Sequence, residues 1–393
     1  MKRLAVLVAA ILCIALLAGC GDSGRNAVLT VWCAEDDKAM IEQMVSDFLS
    51  TKPPIGGVVV EICEDDKARE KFEEDPASAA DVICIPHDQL GALVAAEYLL
   101  EITASKHKDA IGGNTNPSVK AGQIDGRQYG FPSSFETHML FYNKLIISDE
   151  IARTLEGILS ITGVGDGYPF AMDFGNAYFS ANWFFTYGCR LFGENGEDAN
   201  SCDFDNADGI AAMSYIIENR DKLGNFTADE AIDLLGTHTL GAFIGGPWNA
   251  AAVTETLKGN YGCTSLPSVA GKPMKSFAGF KLYCVNANTE NKNVSLDLAA
   301  WLTNPDNQKT RFQERNLIPV SVSLSEDADV AASTTAKAVM GQGPNAIAMP
   351  SIPEMSNFWG PAGDFTLACY NGEIKTGALQ GELSGLASEI RAH

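Results

Sequence analysis

The sequence predicts an α/β protein of two domains, in which short strands alternate with helices. The chain has 393 residues, and about 150 residues per domain gives two to three domains. Three runs rich in β-branched residues, at 28–34, 58–63 and 81–85, are separated by helical patterns. This order is typical of a parallel sheet with crossover helices. The alternation starts again after residue 143, which indicates a second domain.

The first three strands are expected to be buried on both faces, because their apolar runs are nearly continuous. The segment 38–49 carries apolar side chains at helical spacing, including Met40, Ile41 and Met44. The other elements expected before residue 144 are helices at 68–74 and 88–96 and strands at 126–132 and 139–143.

The second half continues the same pattern and contains no internal repeat. Helices are expected at 178–187, 206–220, 228–235 and 294–303, and strands at 240–245, 261–266 and 279–286. Asn304 and Pro305 end the last of these helices. The final hundred residues are expected to alternate between helices and loops, with proline-containing turns at Pro344, Pro350, Pro353 and Pro361.

The amino terminus has the features of an export signal. A basic start, Met1 to Arg3, precedes the apolar run 4–16 and the sequence Leu-Ala-Gly-Cys at 17–20. This order resembles the lipobox of bacterial lipoproteins, which implies a signal peptide at 1–19, lipidation of Cys20 and a polar tether at 20–26. The alternative is a transmembrane anchor, but about 17 apolar residues is the lower limit for a span.

Charge and motifs exclude several classes of function. Lys and Arg total 28 against 50 Asp and Glu, a net charge of -22, so the surface repels nucleic-acid phosphates and no nucleic-acid partner is expected. The chain contains no HExxH, GxSxG, GxGxxG or phosphate-binding loop motif. These catalytic signatures are therefore absent and no cofactor is expected, while a hydrolase that uses two carboxylates stays an alternative.

Eight cysteines remain after Cys13 leaves with the signal peptide and Cys20 is lipidated. Pairs close in sequence, Cys189 with Cys202 and Cys263 with Cys284, are candidates for disulfides in an oxidising exterior. No pair has the spacing of metal ligands, so no metal site is expected.

Polar and aromatic side chains that suit a sugar follow several predicted strands. Carboxylates at 35–37 and Asp88 come after the first and third strands, and Glu136 lies in an expected polar turn. Ligands of open α/β sheets bind at this end of the strands. Trp248 and Trp359 also lie where ordered elements are expected to end, and an aromatic face suits the apolar face of a pyranose. The alternatives are helix capping for the acids and loop packing for the rings.

Several strings together resemble the solute-binding proteins of ABC sugar importers, in the maltose and maltodextrin branch. The most specific are Gly-Pro-Trp at 246–248, Asn-Tyr-Gly at 260–262 and the run MPSIPEMSNFW at 349–359. The resemblance extends from about Val28 to Trp359.

This resemblance implies a two-lobed periplasmic-binding-protein fold with the ligand between the lobes and a hinge. The N-lobe would comprise 27–133 and 283–327, and the C-lobe 136–279 and 332–393. Position by position, it implies sugar contacts as follows: polar contacts from Asp36, Lys67, Asp88 and Glu136, and stacking by Tyr178, Trp248 and Trp359. The protein would act as a monomer and deliver its ligand to an ABC permease.

The sequence departs from the family at some contact positions. Asn176 replaces an acid, Gln89 an arginine and Ala250 a second tryptophan. The expected ligand is a maltodextrin-type α-glucan. The alternatives are another oligosaccharide, a non-sugar solute, or a glycoside hydrolase that uses two carboxylates.

Overall fold

A computed structural model describes residues 27–391. The signal peptide and Cys20 lie outside the described residues. The helices are α1 Lys38–Ser50, α2 Ala68–Glu74, α3 Leu90–Ala95, α4 Ser105–Gly112, α5 Asn116–Ala121, α6 Leu155–Leu159, α7 Ala177–Tyr187, α8 Ala207–Asn219, α9 Ala228–Gly236, α10 Ala250–Leu257, α11 Lys292–Leu302, α12 Pro305–Arg315, α13 Ala328–Ala332, α14 Thr334–Gln342, α15 Ser356–Asn371 and α16 Leu379–Ile390.

The strands are β1 Val28–Cys33, β2 Gly57–Ile62, β3 Val82–Pro86, β4 Gln123–Ile124, β5 Arg127–Gln128, β6 Gly130–Thr137, β7 Met139–Asn143, β8 Tyr168–Met172, β9 Leu223–Asn225, β10 Leu240–Gly245, β11 Tyr261–Thr264, β12 Ser268–Val269, β13 Lys272–Pro273, β14 Ser276–Val285, β15 Ile318–Pro319 and β16 Ala346–Ala348. Most of the predicted elements are confirmed within a few residues. Among the helices of the described residues, none combines the length and apolarity needed to cross a membrane.

The first sheet has the order β15-β6-β14-β3-β1-β2, with β16 paired to β14. The parallel pairing of β1 with β2 and β3 is confirmed, but β14 runs antiparallel to both β3 and β6. The sheet is therefore mixed. The prediction that β2 is buried is wrong, because β2 lies at the edge of the sheet and Val59 is 48% exposed.

The second sheet has the order β11-β7-β10-β8-β9. Parallel pairs join β8 to β9 and β10, whereas β7 is antiparallel to β10 and β11. Helix α7, with the sequence AYFSANWFFTY, packs its aromatic side chains into the large core beside this sheet. Trp183 is fully buried there, as expected of a core residue.

The chain passes from the first sheet to the second between β6 and β7. Thr137 ends β6 and Met139 begins β7, so only His138 separates the two sheets at this point. The hydroxyl of Thr137 donates to the carbonyl of Phe277 over 2.7 Å. Buried Gln342 donates to the Met274 carbonyl and accepts from the Leu266 amide. These hydrogen bonds satisfy polar groups that would be costly to bury unpaired at the junction.

All eight cysteines in the described part of the chain are buried free thiols. Cys189 and Cys202 lie in neighbouring segments, since Leu191 and Cys202 form a β-bridge, but they are not bonded. Burial raises the pKa of the Cys202 thiol to about 12. The structure therefore shows neither of the two candidate disulfides.

Candidate ligand-binding cleft

A cleft of about 1440 Å³ lies where the two sheets meet. One side of the cleft is lined by the short 3₁₀ turns that follow β1, β2 and β3. The other side is lined by the segments after β8 and β10 and by the start of α15. Its position at the carboxyl ends of parallel strands agrees with the general rule for open α/β sheets. The lining includes all seven residues predicted as ligand contacts: Asp36, Lys67, Asp88, Glu136, Tyr178, Trp248 and Trp359.

Asp36 and Lys67 are the exposed members of the polar side. The Asp36 side chain is 76% exposed and accepts a hydrogen bond from Nη2 of Arg315 over 2.8 Å. Lys67 is 67% exposed, and its nearest carboxylate is Glu70 at 4.0 Å. Both side chains are therefore accessible to a solute that enters the cleft.

Asp88 and Glu136 lie deeper. They are 8% and 5% exposed. Burial raises the pKa of the Asp88 carboxyl to about 7, and it also raises the pKa of Glu136, against the attraction of the Lys281 ammonium. Oδ1 of Asp88 has no hydrogen-bond partner among the described residues. A ligand hydroxyl would supply the donor that this oxygen lacks.

Two features differ from the local structure expected for site residues. Glu136 lies inside strand β6, opposite Gly279 of β14, and not in a turn. Trp359 lies in the first turns of helix α15, and Pro361 is also inside that helix. Pro361 is the sixth residue of that helix, so the intrahelical hydrogen bond that an amide at 361 would donate to the Asn357 carbonyl is absent.

Gln89, which replaces the family's arginine, connects two of the turns beside the cleft. Its Nε2 donates to the Asp66 carbonyl over 2.8 Å, and its Oε1 accepts from the Arg69 amide over 3.1 Å. The turn after β3 is thereby fixed to the turn after β2. This places Asp88 and Lys67 on one wall.

The wall of the cleft opposite these polar residues is formed by aromatic side chains that lie next to one another. Tyr178 lies 6.4 Å from Trp248 and stacks at 6.2 Å on Phe277, measured between ring centroids. Trp359 lies 5.8 Å from the same Phe277 ring. The three predicted stacking residues therefore share one aromatic cluster, with partly exposed rings.

Local sequence explains where these rings lie. Asn176 caps α7 by accepting a hydrogen bond from the Tyr178 amide over 3.0 Å, which is the role of asparagine here in place of the family's acid. Trp248 belongs to the 3₁₀ turn after β10, and its ring folds back over Gly246. A Cβ at Gly246 would lie 2.2 Å from that ring, so the ring can hold this place only with glycine at 246.

Among the lining residues that were not proposed as contacts are Phe179, Phe226, Lys281 and Arg315. Phe226 directly follows β9. Lys281 lies on β14 and forms an ion pair of 3.1 Å with Asp65. No local signal distinguishes Lys281 or Arg315 in the sequence, because strands and helices distant along the chain bring them to the cleft.

The lining is strongly acidic. It contains eleven carboxyl groups and four lysine or arginine side chains, so its field disfavours anionic solutes. Within the described residues, no group of three or more His, Cys, Asp or Glu side chains is arranged to hold a metal ion.

The chain is similar in sequence to known binding proteins over most of its length. Residues 43–338 match the family described as bacterial extracellular solute-binding protein. The chain is 31% identical to the galactooligosaccharide-binding protein of Bacillus subtilis, with 88% of this chain and 87% of that protein covered. It is 27% identical to a maltooligosaccharide ABC transporter solute-binding lipoprotein of Streptococcus pneumoniae, with 95% and 93% covered.

Solved structures show the same fold. A maltodextrin binding protein from L. casei BL23, solved without ligand, superposes with a TM-score of 0.81 at 24% identity, covering 94% of this chain and 100% of that one. The maltose-binding periplasmic protein of Listeria monocytogenes, in complex with maltose, gives a TM-score of 0.74 at 26% identity, covering 92% and 96%. The two-lobed periplasmic-binding-protein fold is confirmed. The protein is a binding protein and not an enzyme, and it belongs to the family of bacterial extracellular solute-binding proteins.

Proposed function

We propose that this protein captures an α-glucan of the maltodextrin type outside the cell and delivers it to an ABC permease. The observation that carries the proposal is the pairing of walls in the cleft: carboxylates on one side and the rings of Tyr178, Trp248 and Trp359 on the other. A pyranose presents hydroxyls at its edge and C–H groups on its faces, so it can contact both walls.

The volume of the cleft favours an oligosaccharide. About 1440 Å³ exceeds the roughly 300 to 1,000 Å³ of ordinary small-molecule pockets. The excess of carboxylates favours a neutral or cationic ligand. The continuous aromatic wall provides surfaces that suit the apolar faces of a pyranose, which supports a sugar as the neutral ligand.

In this proposal the seven predicted contacts divide into two sets. Asp36, Lys67, Asp88 and Glu136 hydrogen-bond the sugar hydroxyls, and the three rings stack on sugar faces. The lobes comprise 27–133 with 283–327 and 136–279 with 332–393, and they close on the ligand about β6 and β14. The permease recognises the closed form.

Membrane attachment is the second part of the proposal. Diacylglyceryl modification of Cys20 would hold the protein at the outer face of the cell membrane, because two acyl chains bury enough methylene groups for stable anchoring. The polar segment 21–26 then separates the folded body from the lipid. Mass spectrometry of Cys20 from membrane fractions tests this, and an unmodified cysteine contradicts it.

A galactooligosaccharide is the second candidate ligand, supported by the 31% identity to a galactooligosaccharide-binding protein. Calorimetric titration of the mature chain, residues 20–393, with maltose, maltotriose, maltoheptaose and galactotriose separates the two. Tightest binding of a maltodextrin supports the proposal, and tightest binding of galactotriose replaces it. Release of reducing ends during the titration would instead support hydrolysis by two carboxylates.

A further inference from the structure

The side chain of Glu136 lies directly over Gly279. The two residues face each other across the antiparallel pair β6 and β14. A Cβ built at Gly279 would lie 2.8 Å from Cγ and 2.9 Å from Oε1 of Glu136. It would also lie 3.2 Å from Cε of Met349. The carboxylate therefore occupies the space that any larger residue at 279 would fill.

Packing, and not hydrogen bonding, determines where this carboxylate lies. The influences on its pKa are burial, the Lys281 ammonium and the Asp65 carboxylate, with no hydrogen bond among them. A glutamate has three rotatable side-chain bonds, so a carboxylate without hydrogen bonds is held by the walls around it and by the attraction of Lys281. Gly279 forms one wall and Met349 another, and both Glu136 and Met349 line the cleft.

We propose that Gly279 is a positioning residue for the ligand: the absence of a side chain at 279 sets the place of the Glu136 carboxylate in the cleft. This inference rests on the proposed function, in which Glu136 accepts hydrogen bonds from sugar hydroxyls. A methyl group at 279 displaces the carboxylate by rotation of its side chain. The backbone can keep its extended conformation, since Gly279 is not in the left-handed region.

A double-mutant cycle tests the coupling. We expect Gly279→Ala to weaken sugar binding about tenfold, which corresponds to the loss of a hydrogen bond to a charged group. In a Glu136→Ala background, where no Cγ remains to clash, Gly279→Ala should change affinity less than twofold. Equal losses in the two backgrounds, or no loss in either, would overturn the proposal.

Gly360→Ala is the matched control. Gly360 follows Trp359 at the cleft, but a Cβ there would meet nothing within 4 Å. The control should bind as the parent does. Thermal unfolding of all variants shows whether the fold is retained.

A second readout needs no sugar and therefore separates this inference from the proposed function. The pKa of Glu136, followed by ¹³C NMR of the labelled carboxyl and assigned with Glu136→Gln, should shift in Gly279→Ala because the displaced group changes its burial and its distance from Lys281. An unchanged titration curve would refute the positioning role even if every sugar failed to bind. A shifted curve with no sugar binding would leave positioning intact and refute the proposed function.

Discussion

Arg315 donates a hydrogen bond over 2.8 Å to Asp36, and so connects the end of α12 to the turn after β1. The same guanidinium donates from Nε to Oδ1 of Asp37, also over 2.8 Å. Asp37 is the less exposed of the two carboxylates, at 16% against 76%. Burial raises the pKa of Asp37, and Arg315 opposes that rise.

Replacing this arginine should destabilise the protein in a pH-dependent way. In Arg315→Met, Asp37 remains buried without its cation, so we expect a loss of about 1–3 kcal/mol in the free energy of unfolding at pH 7. The loss should shrink at pH 4, where a carboxyl with a raised pKa is more fully protonated and needs no cation. Urea unfolding at the two pH values measures this. A loss of the same size at both pH values would contradict the explanation.

Asp88 should make the protein less stable as pH rises. Its pKa is about 7 in the folded chain against an ordinary value of 3.8, so between these two pH values the folded state holds a proton that the unfolded state has lost. The free energy of unfolding therefore falls from about pH 4 to pH 7 by up to about 4 kcal/mol. It should not fall further above pH 7 from this group.

Asp88→Asn removes that contribution while preserving shape. The difference in unfolding free energy between variant and parent should grow in favour of the variant from pH 4 to pH 7 and then remain constant. Glu136, whose pKa is also raised, repels the Asp88 carboxylate, so the same comparison is repeated in a Glu136→Gln background to isolate the contribution of Asp88. A difference independent of pH would show that Asp88 is ionised throughout.

The aromatic wall provides a test of sugar stacking. Trp248→Ala and Trp359→Ala should each weaken binding of the tightest sugar by about 1–3 kcal/mol, with little change in unfolding temperature, because both rings are only partly buried. Trp301→Phe serves as the control. Trp301 is also partly buried, but it packs outside the cleft and donates to the Met44 carbonyl over 2.9 Å. Unchanged affinity in both cleft variants would remove these rings from the site.

Gly246 should act through Trp248. An added methyl group would lie 2.2 to 2.4 Å from the indole ring, so Gly246→Ala must move the ring from its place after β10. We expect a loss of affinity similar to that of Trp248→Ala, accompanied by a change in tryptophan fluorescence. Combining Gly246→Ala with Trp248→Ala should cost no more affinity than Trp248→Ala alone; an additive loss would mean that Gly246 matters for another reason.

Local patterns predicted most of the elements, because side-chain periodicity is a property of neighbouring residues. The helix 68–74 and the strand 240–245 match the structure residue for residue. The prediction that β2 is buried on both faces was wrong. An apolar run indicates burial, but it does not show whether a strand has neighbours on both sides of the sheet. The predicted proline-containing turn at 361 is also wrong: Pro361 lies inside α15, whose side chains Phe358 and Phe365 are buried in the core.

The cleft was predicted in outline. Residues that follow strands, such as Asp88 and Trp248, could be chosen because the ends of parallel strands meet at one edge. Lys281 could not, because its presence in the cleft depends on β14 pairing with strands more than 140 residues earlier in the chain. The roles of the seven contacts in binding stay predictions until affinities are measured.

The position of β14 also constrains the order of folding. This strand lies between β3 and β6 in the first sheet, yet it comes at residues 276–285. A nascent or partly exported chain that ends before this strand cannot join β3 to β6, so the early strands remain without their central partner. Closing so long a loop is entropically costly and slow. The delay would leave the early strands of this sheet loosely packed until most of the chain has been made.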